Sequence, residues 1–250
     1  MTRSASHAQY EFGDGCDSGA ILDRLGRVLD PELDEPILQL GFVRSLEVGD
    51  GEALIALQLP TSWCAVNFAW LMAEDVRNAL ITVPGIERVT VRLGDHCAAA
   101  EIEAAVNGGK TFAEAFPGEG FGSLASLRLV FLRKGFLGRQ ERLLRELRYT
   151  GFSPEQICAL RVSDISVKSE VGKTVRRYLE RRAELGLDCS PSAPLIVDFD
   201  GNEVPLNQLD SYYRDARTVR VAMEANGSFC RALLAARQPN QRTGGNDVPT

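Results

Sequence analysis

From Asp30 to Cys64 the chain reads DPELDEPILQLGFVRSLEVGDGEALIALQLPTSWC. Two short runs within this segment, 43–48 and 53–59, have the composition of strands. They are separated by Gly49-Asp50-Gly51, a sequence that favours a tight turn. The segment therefore predicts a β-hairpin in the N-terminal half of the chain.

Helices and one more strand flank this hairpin. Apolar residues at helical spacing predict a helix over 21–29 and a longer one over 62–83, and the run 88–93 predicts a third strand. Two short helical pieces follow, over 101–106 and 111–116. The order α-β-β-α-β gives a small α/β layer with one helical face.

Cys64 ends the segment and is a candidate for chemistry. Thr61 is predicted to be the N-cap of the helix over 62–83, because its hydroxyl can accept a hydrogen bond from a free amide. Cys64 would then lie in the first turn, where the partial positive charge favours the reactive, metal-binding thiolate. We expect it to be the most reactive of the six cysteines. The alternative is that this cysteine, beside Trp63 and Ala65, is only a small buried apolar residue.

His96 and Cys97 follow the third strand and are the other soft-ligand pair of this half. Thiophilic metals accept cysteine and imidazole, so Cys64 with Cys97 or His96 can form an incomplete metal site. A second copy of the chain or a client protein would complete it. The alternative is that His96 caps the next helix and Cys97 is packed beneath it.

Several ordered motifs in this half resemble one family. They are Asp30-Pro31-Glu32-Leu33, Leu40-Gly41-Phe42-Val43, the hairpin, the loop from Thr61 to Cys64, a helix, and Val83-Pro84-Gly85-Ile86 before the third strand. Over 21–93 this pattern is similar to the iron-sulfur cluster assembly (metal-sulfur cluster biosynthesis) family, which includes SufT-like and PaaD-like proteins. The resemblance implies metal handling at Cys64, with Asp30, Glu32 and Thr61 as supporting residues of the motif.

The sequence departs from that family at two places. Ala65 follows Cys64 where the family usually has proline, and Asp95-His96-Cys97 replaces an aromatic and proline-rich ending. Asp30 and Glu32 could act as hard ligands or proton acceptors. Alternatively, they only form an acidic turn.

The charge distribution divides the chain. Its formal net charge is -6, but residues 1–123 carry 8 basic and 19 acidic side chains, residues 124–186 carry 14 and 7, and residues 187–250 carry 6 and 8. The first change coincides with a glycine-rich stretch. The predicted organisation is a flexible N-terminus, an α/β domain, a linker, a mainly helical domain and a disordered tail, at 1–17, 18–117, 118–123, 124–237 and 238–250.

Cysteine usage and hydropathy limit the class of protein. The six cysteines are scattered and include no CxxC pair, which argues against a disulfide framework and a self-contained zinc site. No apolar run approaches the ~20 residues that span a bilayer, and the chain does not begin with a basic stretch followed by an apolar block. We expect a cytoplasmic protein with reduced thiols and no membrane partner.

The helical domain begins with a long basic helix predicted over 124–149. Its arginines flank an apolar stripe, and Arg139, Arg142 and Arg145 are predicted to contact a client protein. The alternatives are a solvated exterior or a nucleic-acid surface, although a sequence pI of about 5.2 counts against nucleic acid.

Shorter elements follow this helix. Ser153, Pro154 and Glu155 are typical of a helix start, and that helix is predicted to end near Leu160. The remaining elements are predicted to be a helix, a short β-hairpin around Asp200-Gly201 and two final helices, over 175–185, 194–199 with 203–205, 206–217 and 219–237. The expected fold class is α/β (α+β): a small α-β-β-α-β domain followed by a mainly α-helical domain with a short β-hairpin.

The C-terminal half has a second resemblance. The stretches 149–153, 160–165 and 195–197, with the Asp200-Gly201 turn, are similar to the catalytic domain of tyrosine recombinases. The activity is not implied, because Ser153 stands where that family has its first catalytic arginine and no histidine follows residue 96. Strand transfer needs arginines and histidines around the phosphate as well as a nucleophilic tyrosine.

The resemblance of the N-terminal half implies a metal-centre maturation factor, and the sequence shows no evident turnover site. The expected cargo is iron or an iron-sulfur cluster, bound transiently, and the expected partners are a protein client and the cluster-assembly machinery. Chains that join such a domain to a basic helical extension resemble accessory proteins of bacterial di-iron monooxygenases, which makes a di-iron hydroxylase the first client to test. The competing hypotheses are a metal-free chaperone or scaffold and a nucleic-acid-binding regulator.

Overall fold

The structure is a computed structural model that describes residues 8–117, 124–166 and 169–237. The predicted linker at 118–123 and the predicted tail at 238–250 lie outside the described residues. A small sheet with its helices comes first in the chain, and a mainly helical part follows. This mixed architecture confirms the predicted α+β fold class.

Among the residues that the structure describes, all strands lie in the N-terminal half. In chain order they are β1 (Gln9–Phe12), β2 (Leu29–Asp30), β3 (Glu35–Pro36), β4 (Val43–Gly49), β5 (Glu52–Leu57) and β6 (Arg88–Arg92). Four of them form one sheet in the order β1-β4-β5-β6, and β2 pairs with β3 separately. β1 is parallel to β4 and β6 is parallel to β5. No strand was predicted within 1–17, so β1 is an addition to the expected architecture.

The predicted central hairpin is formed by β4 and β5. Leu46 pairs with Ile55 across the antiparallel ladder, and both side chains are fully buried. Asp50 and Gly51 have φ values of 51° and 77°. Positive φ at both central residues is what a type I′ hairpin turn requires, and aspartate followed by glycine is a preferred pair for it.

The helices of this half are α1 (Ser18–Leu25), α2 (Ile37–Leu40), α3 (Val66–Ile81), α4 (Ala99–Asn107) and α5 (Phe112–Ala115). The long helix α3 packs against β6, α1 and α4. Its Trp70 is fully buried and meets Phe112 edge-on, with ring centroids 5.4 Å apart. This core fixes the position at which α3 begins, next to Cys64.

The C-terminal half is mainly helical, and its first helix packs against two of the others. Its elements are α6 (Leu124–Tyr149), α7 (Pro154–Ala159), a short 3-10 helix (Val162–Asp164), α8 (Glu170–Glu184) and α9 (Leu206–Arg237). α6 packs against both α8 and α9. Ser153 caps α7 through the amide of Gln156, as the sequence predicted.

Two details of the C-terminal half differ from the prediction. The expected hairpin around Asp200-Gly201 is reduced to a single antiparallel bridge between Val197 and Glu203. The two predicted final helices are one continuous helix, because Thr218 lies inside α9 and its hydroxyl donates to the carbonyl of Arg214 at 3.0 Å. Packing of α9 against α6 outweighs the weak helix propensity of the β-branched residues there.

The two halves share an interface. Leu234, near the end of α9, belongs to the apolar core of the N-terminal half. Phe131 of α6 meets Phe68 of α3 with ring centroids 5.0 Å apart, and Arg128 donates to Asp75 at 2.8 Å. Within the described ranges, no helix is long and apolar enough to cross a membrane.

Candidate functional site

The acidic turn between β2 and β3 is held by the side chain of Asp30. Its Oδ1 accepts hydrogen bonds from the backbone amides of Glu32 (2.9 Å) and Leu33 (2.8 Å). Asp34, at the end of the turn, has a φ of 56°, a conformation that aspartate tolerates better than most residues. The motif residues Asp30 and Glu32 therefore lie on a short turn stabilised by a side-chain-to-backbone bond.

This turn contains two buried carboxylates with opposite surroundings. Asp34 is bound by two arginines of the C-terminal half: Arg139 donates at 2.6 and 2.9 Å, and Arg181 also donates. Burial acts to raise the pKa of Asp34, but the hydrogen bonds and charges of the two arginines outweigh burial and hold the pKa below its usual value. α6 comes this close because residue 135 is glycine; a Cβ there would lie 3.0 Å from Asp34 Oδ1.

Asp30 has no such counter-charge. Only 7% of it is exposed, and none of the ion pairs among the described residues involves it. Burial raises its pKa to about 6, although the amides of Leu33 and Glu32 act in the opposite direction. Asp30 also lines a cleft of about 580 Å³ between the two halves, together with Arg128 and Arg181. The carboxylate is therefore buried, uncompensated and next to an open space.

The loop that carries Cys64 differs from the prediction. α3 begins at Val66, its N-cap is Ala65, and no side chain caps it. Ser62 and Trp63 form a turn, which leaves Thr61 four residues before the N-cap. The Thr61 hydroxyl lies 3.4 Å from Cys64 Sγ instead. Cys64 is thus outside the first helical turn, and the argument that a helix N-terminus favours its thiolate does not apply.

His96 joins this loop to the one that follows β6. Its Nδ1 accepts from the amide of Ala98 at 3.1 Å, so in the neutral ring the proton is on Nε2, which donates to the carbonyl of Cys64 at 2.8 Å. The amide of Cys97 donates to the carbonyl of Ser62 at 2.9 Å. Both nitrogens of His96 are engaged in this arrangement, and the ring bonds to Ala98 at the start of α4.

The predicted ligands therefore lie on two joined loops. Cys97 is exposed rather than packed beneath His96, and Cys64 is half-buried. Trp63, in the turn directly before Cys64, is 81% exposed. Across residues 8–117, 124–166 and 169–237, no three His, Cys, Asp or Glu side chains are grouped closely enough to hold a metal ion. The loops as they stand offer thiols without a complete coordination shell.

The three arginines predicted to contact a client have different environments. Arg139 is 95% buried against Asp34 and is not available to a partner, which corrects the prediction for this residue. Arg142 pairs with Glu224 of α9 at 3.4 Å. Arg145 is exposed. A charge pattern on a helix did not reveal which arginine faces the other half of the protein.

The sequence analysis missed a contribution from α9. Asn226 donates to Glu32 at 3.3 Å and Arg231 donates to Glu35 at 2.8 Å, so this helix lies against the acidic turn. Cys230, between them, is half-buried and packs against the N-terminal core. Residues 226, 230, 234 and 237 recur at helical spacing, and that shared face was the available signal.

Comparison with known proteins shows which part of the chain matches a known family. Residues 19–93 match the family described as iron-sulfur cluster assembly protein. A protein named iron-sulfur cluster carrier protein from Mycobacterium tuberculosis is 38% identical over 81 residues, 32% of this chain and 21% of the relative. Proteins of the same name from Synechocystis sp. and Deinococcus radiodurans are 32% and 33% identical over 74 and 75 residues, 30% of this chain in each case and 20% and 21% of the relatives.

These matches are confined to part of each protein, since the chain spans about a fifth of the length of the curated relatives it matches. No solved structure gives a significant match. None of these findings supports the resemblance of the C-terminal half to tyrosine recombinases. The motifs around Asp30 and Cys64 fall inside the matched range, and residues 19–93 are an iron-sulfur cluster assembly protein domain.

Proposed function

We propose that this chain is an assembly factor of the carrier type, which holds an iron-sulfur cluster or iron transiently and passes it to a client protein. The observation that carries the proposal is that the loops containing Cys64 and Cys97 are joined, because His96 donates to the carbonyl of Cys64 and the amide of Cys97 donates to the carbonyl of Ser62. Relatives of this domain bear the name iron-sulfur cluster carrier protein.

The arrangement suits transient binding. Thiolates are the usual protein ligands of iron-sulfur clusters, and the two loops offer thiols without a full set of four. A site with too few protein ligands holds cargo weakly and releases it when a client supplies better ones. We assign His96 to fixing the Cys64 loop, because both of its ring nitrogens already have partners.

Anaerobic reconstitution tests the cargo. The full-length protein is incubated with ferrous iron and sulfide, desalted, and analysed for iron, sulfide and the visible absorption of a cluster. Cys64→Ser should lose most of the bound iron and sulfide, while the matched control Cys158→Ser, a half-buried cysteine of the helical half, should retain both. Transfer to an apo-protein that accepts a cluster then measures delivery.

The same experiment separates the competing hypotheses. Wild-type protein that retains no iron or sulfide would identify a metal-free chaperone or scaffold instead. A Cys64→Ser variant that delivers a cluster as well as wild type would show that Cys64 is not a ligand. A cluster held only by a dimer, shown by light scattering before and after loading, would mean that a second copy completes the site.

The proposal also names the class of client protein. The combination of an assembly-type domain with a basic helical extension resembles accessory proteins of bacterial di-iron monooxygenases, and on that basis we propose a di-iron hydroxylase as the client. Arg145 is the exposed member of the predicted arginine set and remains the residue to test. Arg145→Glu should weaken binding to a co-expressed hydroxylase in a salt-dependent way, while Cys64→Ser should leave binding intact and lower the iron content of the hydroxylase.

The proposed location is the cytoplasm. All six cysteines are free in the structure. Free thiols that bind iron need a reducing compartment to stay reduced, which is the condition of the cytosol.

A further inference from the structure

The two loops that carry the thiols leave the same edge of the main sheet. β5 and β6 are neighbouring parallel strands, and α3 is the helix between them. Since parallel strands end at the same edge, the loop after β5, which contains Cys64, and the loop after β6, which contains Cys97, begin side by side. Gly94 shows how close they are, because a Cβ there would lie 3.2 Å from the carbonyl oxygen of Leu57, the last residue of β5. A contact at this edge therefore acts on both loops.

Arg237, the last residue of α9, makes such a contact. Its Nη1 donates to the carbonyl of Leu59 at 2.8 Å, at the start of the Cys64 loop. Its Nη2 donates to the carboxylate of Asp95, in the loop that leads to Cys97. A guanidinium presents its donors in a rigid fork, so one side chain can hold two acceptors at a fixed separation. Arg237 thus bridges the bases of the two loops.

The end of α9 is anchored where Arg237 needs it to be. Leu234, one turn earlier in the helix, is buried in the core of the N-terminal half. The bonds of His96 and of the Cys97 amide join the two loops from within that half, as described above. The contacts that join the loops therefore come from both halves of the chain.

We infer that Arg237 is a positioning residue, which joins the Cys64 loop to the Cys97 loop and so fixes the two thiols relative to each other for the cargo. The inference deepens the proposed function and rests on it for the role of the thiols. Arg237 lies outside residues 19–93, which match the family. The helical half then has a part in the carrier site in addition to its contact with a client.

Amide hydrogen exchange on the metal-free, full-length protein, measured by NMR, tests the bridge. The reporter is the amide of Cys97, because it donates across the two loops to Ser62. Arg237→Met keeps the aliphatic stem of the side chain and removes its donors. We expect exchange of the Cys97 amide to become about fivefold faster, the change that corresponds to one net hydrogen bond.

Arg231→Met is the matched control. Arg231 belongs to the same helix and pairs with Glu35 at 2.8 Å, at the acidic turn rather than at the loops. This variant should leave exchange of the Cys97 amide unchanged. Equal acceleration in Arg231→Met and Arg237→Met would mean that both only loosen α9, and it would overturn the inference. Wild-type exchange in Arg237→Met would overturn it as well.

Rescue by lysine separates the role of the donors from that of the stem. Arg237→Lys restores a charged donor at this position and should recover part of the protection that Arg237→Met has lost. Exchange in the lysine variant as fast as in the methionine variant would contradict a role for the charged donor.

A variant at the other end of the bridge covers the case in which Arg237→Met does not fold. The side chain of Asp95 is 63% exposed, so its replacement leaves the core intact. Asp95→Ala should also accelerate exchange of the Cys97 amide. The double variant Asp95→Ala/Arg237→Met should exchange no faster than Arg237→Met alone, because both changes remove the same bridge. Fully additive effects would contradict the inference.

Retention of cargo is the second readout. After anaerobic reconstitution, Arg237→Met should lose iron to a chelator several times faster than wild type, and Arg231→Met should not. Wild-type retention in Arg237→Met would overturn the inference and leave the proposed function standing, since that function is tested with Cys64→Ser. Wild-type protein that retains no iron would overturn the proposed function, and the exchange measurement, which needs no metal, would still decide whether Arg237 joins the loops.

Discussion

Asp34 and Arg139 are 105 residues apart in the sequence and form a paired hydrogen bond in the interior of the protein, with Nε to Oδ2 at 2.6 Å and Nη2 to Oδ1 at 2.9 Å. Arg181, from α8, binds the same carboxylate. One aspartate of the acidic turn thus connects the assembly domain to two helices of the C-terminal half. This contact sets the position of those helices relative to the motif.

Replacing Asp34 with asparagine tests this connection. Asp34→Asn leaves two buried guanidinium groups without their carboxylate, and we expect the free energy of unfolding to fall by about 3–5 kcal/mol. Urea denaturation measures the loss. Asp23→Asn, which removes an exposed pair with Arg27, is the control and should change stability by less than about 1 kcal/mol. Equal losses in the two variants would show that the buried contact does not stabilise the fold.

The same variant should change the response to acid. The pKa of Asp34 is lower in the folded protein than its ordinary value of 3.8, so its contribution to stability is present above that value and is lost as the pH falls through the folded pKa. The stability difference between wild type and Asp34→Asn should therefore be constant from pH 7 to about pH 5 and shrink below about pH 4. A difference that does not change down to pH 3 would contradict the assignment.

Asp30→Asn should have the opposite effect on stability. The pKa of Asp30 is raised from 3.8 to about 6, so the folded state binds the proton more tightly and ionisation of Asp30 destabilises the fold as the pH rises between these values. Asparagine keeps the Oδ1 acceptor without the charge. We expect a gain of up to about 3 kcal/mol at pH 7.5 and little gain at pH 4, measured by urea denaturation at both values. A loss of stability at pH 7.5 would mean that Asp30 is compensated.

His96→Ala should loosen the Cys64 loop. The variant removes hydrogen bonds to the Cys64 carbonyl and the Ala98 amide, and a net cost of about 2 kcal/mol is expected from two such bonds. Alkylation of Cys64 should become several times faster, measured by peptide mapping with Cys158 as the internal reference. An unchanged Cys64 rate would show that the loop is held without this ring.

The six thiols should differ in their rate of alkylation. Cys97, rather than Cys64 as the sequence suggested, should be labelled first, because Cys97 is exposed whereas Cys64 is half-buried and lies outside the first turn of α3. Burial raises the pKa of Cys158, Cys189 and Cys230, so fewer of these thiols are ionised at pH 8. Cys230, with a pKa of about 11, should be labelled most slowly of the three. Time-resolved iodoacetamide labelling gives the order, and rapid labelling of Cys230 would show that α9 does not stay on the acidic turn.

Local sequence signals predicted three of the four strands of the main sheet and much of the helical framework. Gly49-Asp50-Gly51 predicted the hairpin, because a tight turn needs residues that tolerate positive φ values. Ser153-Pro154 predicted the start of α7. These signals act over a few residues. The start of α3 was wrong because Thr61 has the chemistry of an N-cap, but the turn at 62–63 separates it from the helix.

The interface between the two halves could not be predicted in this way. Arg139 looks like any arginine of a basic helix until Asp34 is found beside it, and a separation of 105 residues leaves no periodic signal. The position of Cys230 depends in the same way on where α9 docks. The motif that contains Asp30 and Cys64 could be found from the sequence alone, whereas the contacts of α9 with the acidic turn required the fold.

The docking of α9 also has a consequence for synthesis. Translation proceeds from the N-terminus, and domains begin to fold as they emerge. The assembly domain leaves the ribosome with its acidic turn and Cys64 uncovered, because the helix that contributes Leu234 to its core is made after every other described element. The acidic turn is therefore open to solvent in the nascent chain, whereas in the folded chain α9 already lies against it.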